Sequence, residues 1–114
     1  MTHPADPIVV VAAVVRRGDE FLVTRRLKGT HLSGYWEFPG GKCEAGEWHE
    51  DCLVRELAEE LGVGAVVGAE ILRTEHVYPE RAVRLHFRSC TLQGEPRALL
   101  GQEMRWIARA ALGT

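Results

Sequence analysis

The sequence predicts a single α/β domain, and three observations support this. Its 114 residues match the length of one domain. With 46% hydrophobic and 26% charged residues, it has globular proportions, which excludes wholesale disorder. Finally, β-branched apolar runs flank one long segment of helix formers that stops at a glycine. A chain of this size buries roughly 60–70% of the surface its unfolded form exposes, so folding requires neither disulfides nor a structural metal.

Taken in order, residues 1–7, with Pro4 and Pro7, are a loose start. Residues 8–17 and 20–26 are apolar, β-branched runs on either side of Gly18-Asp19, which predicts strand, turn, strand. Residues 28–46 hold five glycines and Pro39 and are expected to be mostly loop. The spacing predicts a helix over residues 47–61, ended by Gly62 in a left-handed cap. Two further strands, 63–77 and 82–92, are expected around the turn Tyr78-Pro79-Glu80-Arg81. Gly94 to Pro96 breaks the chain, and residues 104–107 read as a last short strand. With no repeat, linker or low-complexity tract, residues 1–114 are expected to form one domain.

The formal charge of −2 gives no basic field to recruit a nucleic-acid polymer or an anionic membrane. No apolar run reaches the roughly 18–20 residues of a membrane span. The stretch Ile8 to Val15 lacks the flanks of a signal peptide. Cys43, Cys52 and Cys90, an odd number without a secretory signal, read as free thiols, so a cytoplasmic protein is expected.

The charge is unevenly placed. Between Glu44 and Glu60 lie seven of the sixteen acidic residues and one base, Arg55, whereas the rest carries nine acids against thirteen bases. Such a segment is either a solvated helix face or a site for a hard cation. On a helix with Glu56 set at zero, Glu60 falls near about +40° and Glu59 near about −60°, so three carboxylates share one arc. Leu53, Leu57, Leu61, Val54 and Ala58 take the neighbouring arc and are expected to face a core. Like charges at i, i+3 and i+4 repel by a few tenths of a kcal/mol, roughly, per pair. Arg55 projects about 100° away, so a divalent cation is the simplest counter-charge. Just before the helix, Pro39-Gly40-Gly41-Lys42 forms a tight turn through which backbone groups can approach an ion or phosphate. It is not a nucleotide P-loop, which would need glycine at Trp36 and serine or threonine at Cys43.

Read together, Gly41, Glu47, Arg55, Glu56, Leu57, Glu59, Glu60, Gly62 and Val63 spell G-x5-E-x7-R-E-L-x-E-E-x-G-V. This resembles the Nudix box, with every defined position filled. Thr24-Arg25-Arg26, Gly34-Tyr35-Trp36-Glu37-Phe38-Pro39-Gly40-Gly41-Lys42 and Tyr78-Pro79-Glu80-Arg81 resemble the MutT-like branch, which hydrolyses nucleoside triphosphates. The resemblance implies an α/β/α sandwich with a mixed, curved sheet and a loop–helix–loop box at residues 41–63. It also implies a C-terminal helix that would begin about where the chain ends, at Gly113-Thr114.

For function, the resemblance implies Mg²⁺-dependent (or Mn²⁺-dependent) cleavage of a nucleotide phosphoanhydride, with the sanitising of modified nucleotides such as 8-oxo-dGTP, and hence DNA repair, as the leading role. ADP-ribose hydrolysis is an alternative, and nucleotide binding without cleavage is a second. Glu56, Glu59, Glu60 and the Gly40 carbonyl match metal ligands, and Arg55 with Glu47 matches the brace that orients them. Glu103, in Glu103-Met104-Arg105-Trp106, matches a further glutamate that binds metal or acts as base. Arg26, His31, Glu37, Phe38, Gly40 and Lys42 are the expected substrate contacts, with Trp36 a candidate to touch the base. The expected partner is a nucleotide, and the expected assembly is a monomer or homodimer. Each element has a structural alternative: Arg26 and His31 as surface residues, Trp36 and Phe38 as core, and Cys52 as packing beneath the carboxylates.

Overall fold

A computed structural model describes residues 7–29 and 33–111. Five of the strands fall where the apolar runs place them: β1 (Ile8–Arg17), β2 (Glu20–Arg25), β5 (Ala65–Val77), β6 (Ala82–Leu92) and β7 (Met104–Ala108). The glycine-rich segment adds two short ones, β3 (Trp36–Glu37) and β4 (Gly40–Lys42). Together they form one mixed sheet of order β3-β2-β1-β6-β5, with β4 on β1 and β7 on β2. β1 and β6 run parallel from Ile8↔Val83 to Val15↔Cys90, and the other pairings are antiparallel.

The single α-helix among the described residues, α1 (His49–Leu61), crosses one face of the sheet. It begins two residues later than the sequence pattern predicts. The Glu47 carboxylate turns back to accept the Glu44 N–H at 3.0 Å instead of entering the helix. At the other end Gly62 takes φ 62°, and its N–H bonds to the Ala58 carbonyl. The Leu99 and Arg97 N–H groups then cap the carbonyls of Glu60 and Leu61.

Beneath α1, Leu53, Leu57, Leu61 and Cys52 pack on Val11, Ala13, Val15, Leu22 and Cys90. Each large side chain buried there stabilises the fold by about 1.5–3 kcal/mol. Leu53, Leu57 and Leu61 are buried as the projection predicts, but the arc is shifted at its edges. Val54 is 38% exposed and Ala58 is exposed, whereas Cys52 is fully buried. The sheet therefore meets the helix on an arc rotated toward the carboxylates. Glu56 and Glu60 sit within the rim of the core contact, while Glu59 stays outside. The second helical layer implied by the resemblance has no counterpart among the described residues, and residues 112–114 lie outside them.

Two glycines fix the approach of β4 to its neighbours. A Cβ on Gly40 would lie 2.0 Å from the Val11 carbonyl oxygen, and one on Gly41 would lie 2.4 Å from the Glu56 carboxylate. At Gly40 a side chain would run into the β1 backbone, whereas at Gly41 it would displace the Glu56 carboxylate from its place.

Candidate functional site

The box segment is organised by Arg55. Its Nε and Nη2 donate to the two oxygens of Glu47, both at 2.9 Å. Its Nη1 donates to Glu56 at 3.0 Å and to Glu59 at 3.3 Å, and its Nη2 also reaches the Lys42 carbonyl at 3.3 Å. The projection that set Arg55 aside from the carboxylates is thus corrected, because a long guanidinium swings across the arc that its Cβ misses. The Arg55 hydrogen bonds hold the Glu47 carboxyl down at about 2.

Glu60 is different. No guanidinium bond to its carboxylate is seen among the described residues, and its Oε2 is buried without a hydrogen-bond partner. Burial, then the nearby charge of Glu56, pushes its pKa up to about 8, against a hydrogen bond from the Gly40 N–H. Burial also raises Glu56, despite Arg55. The Gly40 N–H is available because of the β-ladder. Ala13 N–H bonds to the Pro39 carbonyl and Cys43 N–H to the Val9 carbonyl, and antiparallel alternation then turns the peptide groups of Gly40 away from β1. Two partly desolvated carboxylates with an orphaned oxygen, facing an outward backbone and a glycine pair, form a donor set suited to a hard cation.

This electrostatic conflict has a measurable consequence. Between about 4.5 and about 8, folded Glu60 holds a proton that the unfolded chain releases, so rising pH lowers stability in that window. In chelator, Glu60→Gln is expected to melt higher than the parent at pH 8 and close to it at pH 5. Equal melting temperatures at pH 8 would contradict the assigned burial.

Beside the carboxylates, on the sheet face opposite α1, lies a cavity of about 560 Å³. Gly40 and Gly41 form its edge, and Trp36, Phe38, Phe87 and Arg26 line its walls. Phe38 stacks edge-on between Phe21 and Phe87, with centroids 6.5 and 6.1 Å apart. Arg105 lies over the Trp36 ring at 4.8 Å, and Arg26 pairs with Glu37 at 3.2 Å. Glu37 and Glu60 share an adjoining cleft with Arg26 and Gln102.

The structure thus brings together Glu56, Glu60, Gly40, Glu37, Arg26 and Phe38, with Arg55 and Glu59 alongside. It does not bring Lys42 or Glu103 to the same place. Lys42 is exposed and lines a separate cleft with Glu44 and Arg81. The Glu103 carboxylate is held by Arg25 at 3.0 Å in the neighbouring cleft. His31 lies outside the described residues. Sequence reasoning missed Phe87, Arg105 and Gln102. Gln102 is 8% exposed and donates to the Glu60 carbonyl at 3.2 Å, securing the helix end that carries the carboxylate. Alternation along β6 could have flagged Phe87, whereas Gln102 leaves no local signal.

Residues 10–114 match the family model described as NUDIX domain. The chain is 37% identical over 108 residues to a Haemophilus influenzae protein named 8-oxo-dGTP diphosphatase, covering 92% of this chain and 79% of that one. An Escherichia coli protein of the same name is 33% identical over 105 residues, covering 91% and 81%. Among solved structures, a MutT NUDIX hydrolase from Burkholderia pseudomallei superposes with a TM-score of 0.81 at 25% identity, covering 91% of this chain and 84% of that one.

Proposed function

The chain belongs to the NUDIX family, and from that premise we propose that it hydrolyses nucleoside triphosphates, 8-oxo-dGTP among them, to the monophosphate and pyrophosphate. Relatives named for that diphosphatase support the substrate. One juxtaposition carries the reading. The partly buried carboxylates of Glu56 and Glu60 stand directly behind the Gly40-Gly41 edge of an aromatic cavity.

Glu56, Glu59, Glu60 and the Gly40 carbonyl would hold divalent cations, Mg²⁺ or Mn²⁺. A cation there supplies neutralisation of polyphosphate charge and a lowered pKa for attacking water. The chain's residues supply the rest. Arg55 aims Glu56 and Glu59 through the hydrogen bonds of its Nη1. Glu60 gives up a proton when it takes up a ligating role, so metal affinity rises with pH up to about 8. Arg26 offers positive charge to phosphate at the cavity wall, while Phe38 and Phe87 give a base an apolar surface to lie on. Glu103 stays with Arg25 in the neighbouring cleft and takes no ligating role in this arrangement.

The test is a substrate panel of 8-oxo-dGTP, dGTP, CTP, dCTP and ADP-ribose with Mg²⁺, with products resolved by chromatography. Release of pyrophosphate and monophosphate from a triphosphate is expected. Cleavage of ADP-ribose alone, or binding without turnover, would overturn the assignment.

A further inference from the structure

We propose that His49, Glu70 and His86 form a second cation site, one for a borderline transition metal such as Zn²⁺, separate from the glutamate cluster of the box. The three residues come from three elements: the first position of α1, the middle of β5 and the middle of β6. One ligand atom from each lies within 4.8 Å of the others. The His49 and His86 rings are 4.4 Å apart, and Glu70 Oε1 is in direct contact with His86 Nδ1. His86 is only 5% exposed, so the imidazole is committed to this spot.

The backbone supplies an independent sign of construction. Val67 opposes Cys90, and directly opposed residues share a face. Unbroken pairing would place Glu70 opposite Phe87, facing the aromatic cavity. Instead the register slips between Val67 and Glu70, so Glu70 opposes Arg88 and turns to the face that carries His86. A second slip follows before Leu72. Bulges of this kind re-aim a side chain at the cost of ladder bonds. Here they aim a carboxylate at a buried imidazole.

The donor set selects the metal. Two imidazoles and one carboxylate suit Zn²⁺, whereas Mg²⁺ prefers all-oxygen sites. Zn–N and Zn–O bonds of about 2.0–2.2 Å put tetrahedral ligand atoms roughly 3.4 Å apart, so the wider pairs draw in and the tight Glu70–His86 contact opens, each by about 1 Å. Glu70 is already oriented for this. Its Oε2 accepts from Arg73 Nη2 at 3.0 Å, leaving Oε1 toward the histidines, and ligating carboxylates are commonly held in this way. The neighbouring Arg88 is paired with Glu50 at 3.2 Å, which offsets its charge. A second cluster, Cys43, Glu47 and Cys52, is the competing thiol site. Its carboxylate is occupied by Arg55 on both oxygens, and burial keeps the Cys52 thiol protonated.

Equilibrium dialysis against Zn²⁺, with Mg²⁺ in excess throughout, tests the proposal. One equivalent of zinc is expected to bind, with a rise in melting temperature, because the ion joins the first turn of α1 to β5 and β6. His49→Ala and Glu70→Gln should each weaken zinc binding on the order of a hundredfold, and Cys43→Ser should leave it unchanged. Co²⁺ in place of Zn²⁺ should show a visible spectrum without thiolate charge-transfer bands. The proposal fails if the parent protein binds no zinc, if His49→Ala retains full affinity, or if Cys43→Ser removes the binding. His49 is half-exposed, so its variant tests the site without emptying the core.

Discussion

Glu60→Gln is expected to lower kcat about a thousandfold on the best nucleotide substrate, the scale set by removing one group that stabilises transition-state charge. Glutamine keeps the shape of the side chain and removes its ability to carry a full negative charge. Glu56→Gln should act similarly, because Glu56 is also partly desolvated and lies against Gly41, next to the Gly40 that meets Glu60. Glu59→Gln should cost less, since its side chain is 57% exposed and retains water as a partner. The Glu60 variant also separates chemistry from folding. In chelator at pH 8 it should be more stable than the parent, so lost turnover in a better-folded protein points to the site. Steady-state kinetics with saturating Mg²⁺ decides the matter, and a wild-type kcat in either Glu56→Gln or Glu60→Gln would remove these residues from the proposed metal site.

Much of the fold is legible in the sequence because period and punctuation agree. Alternating or continuous apolar runs mark β1, β2, β5 and β6, a short Met104-Arg105-Trp106-Ile107 stretch marks β7, and Gly62 marks the end of α1. The two short strands are not legible. Trp36-Glu37 and Gly40-Gly41-Lys42 have no periodicity of their own and become strands because β2 and β1 offer unpaired edges. The helix shows the limit of a projection. It finds an apolar arc, yet the sheet decides which edge of that arc is covered. Val54 is left exposed, while Cys52 packs beneath the carboxylates, as one reading of the sequence has it. The same rotation desolvates Glu56 and Glu60, so the property that makes these carboxylates unusual is tertiary. The cavity walls show this even more clearly. Phe87 reaches the site because β6 lies parallel beside β1, with Phe87 opposite Ala12 seventy-five residues away in the chain, and no local motif announces that. The bulge that turns Glu70 is equally silent.

Arg55→Ala is expected to produce the other large effect, on stability and turnover together. The guanidinium bonds both oxygens of Glu47, one oxygen of Glu56 and both oxygens of Glu59, and it touches the Lys42 carbonyl. Its removal leaves Glu47 and Glu56, each with a 15% exposed side chain, as neighbouring anions without a cation. Breaking such a set is costly because the remaining charges stay partly desolvated. A fall in melting temperature of roughly 5–10 °C is expected. Turnover should fall about a hundredfold, as expected when catalytic carboxylates shift by about an ångström. Arg55→Lys identifies the cause. Lysine restores a positive charge but not the planar fork, so it should recover part of the stability and little of kcat. Acid titration gives an independent readout. Glu47 contributes stability above its ordinary value of 4.5, and that contribution is lost as pH falls toward about 2. The parent should therefore lose stability across that interval, and Arg55→Ala should show a flatter profile there. A lysine variant with kcat within about twofold of the parent would mean that charge alone suffices, and that the forked hydrogen bonds do not position the carboxylates.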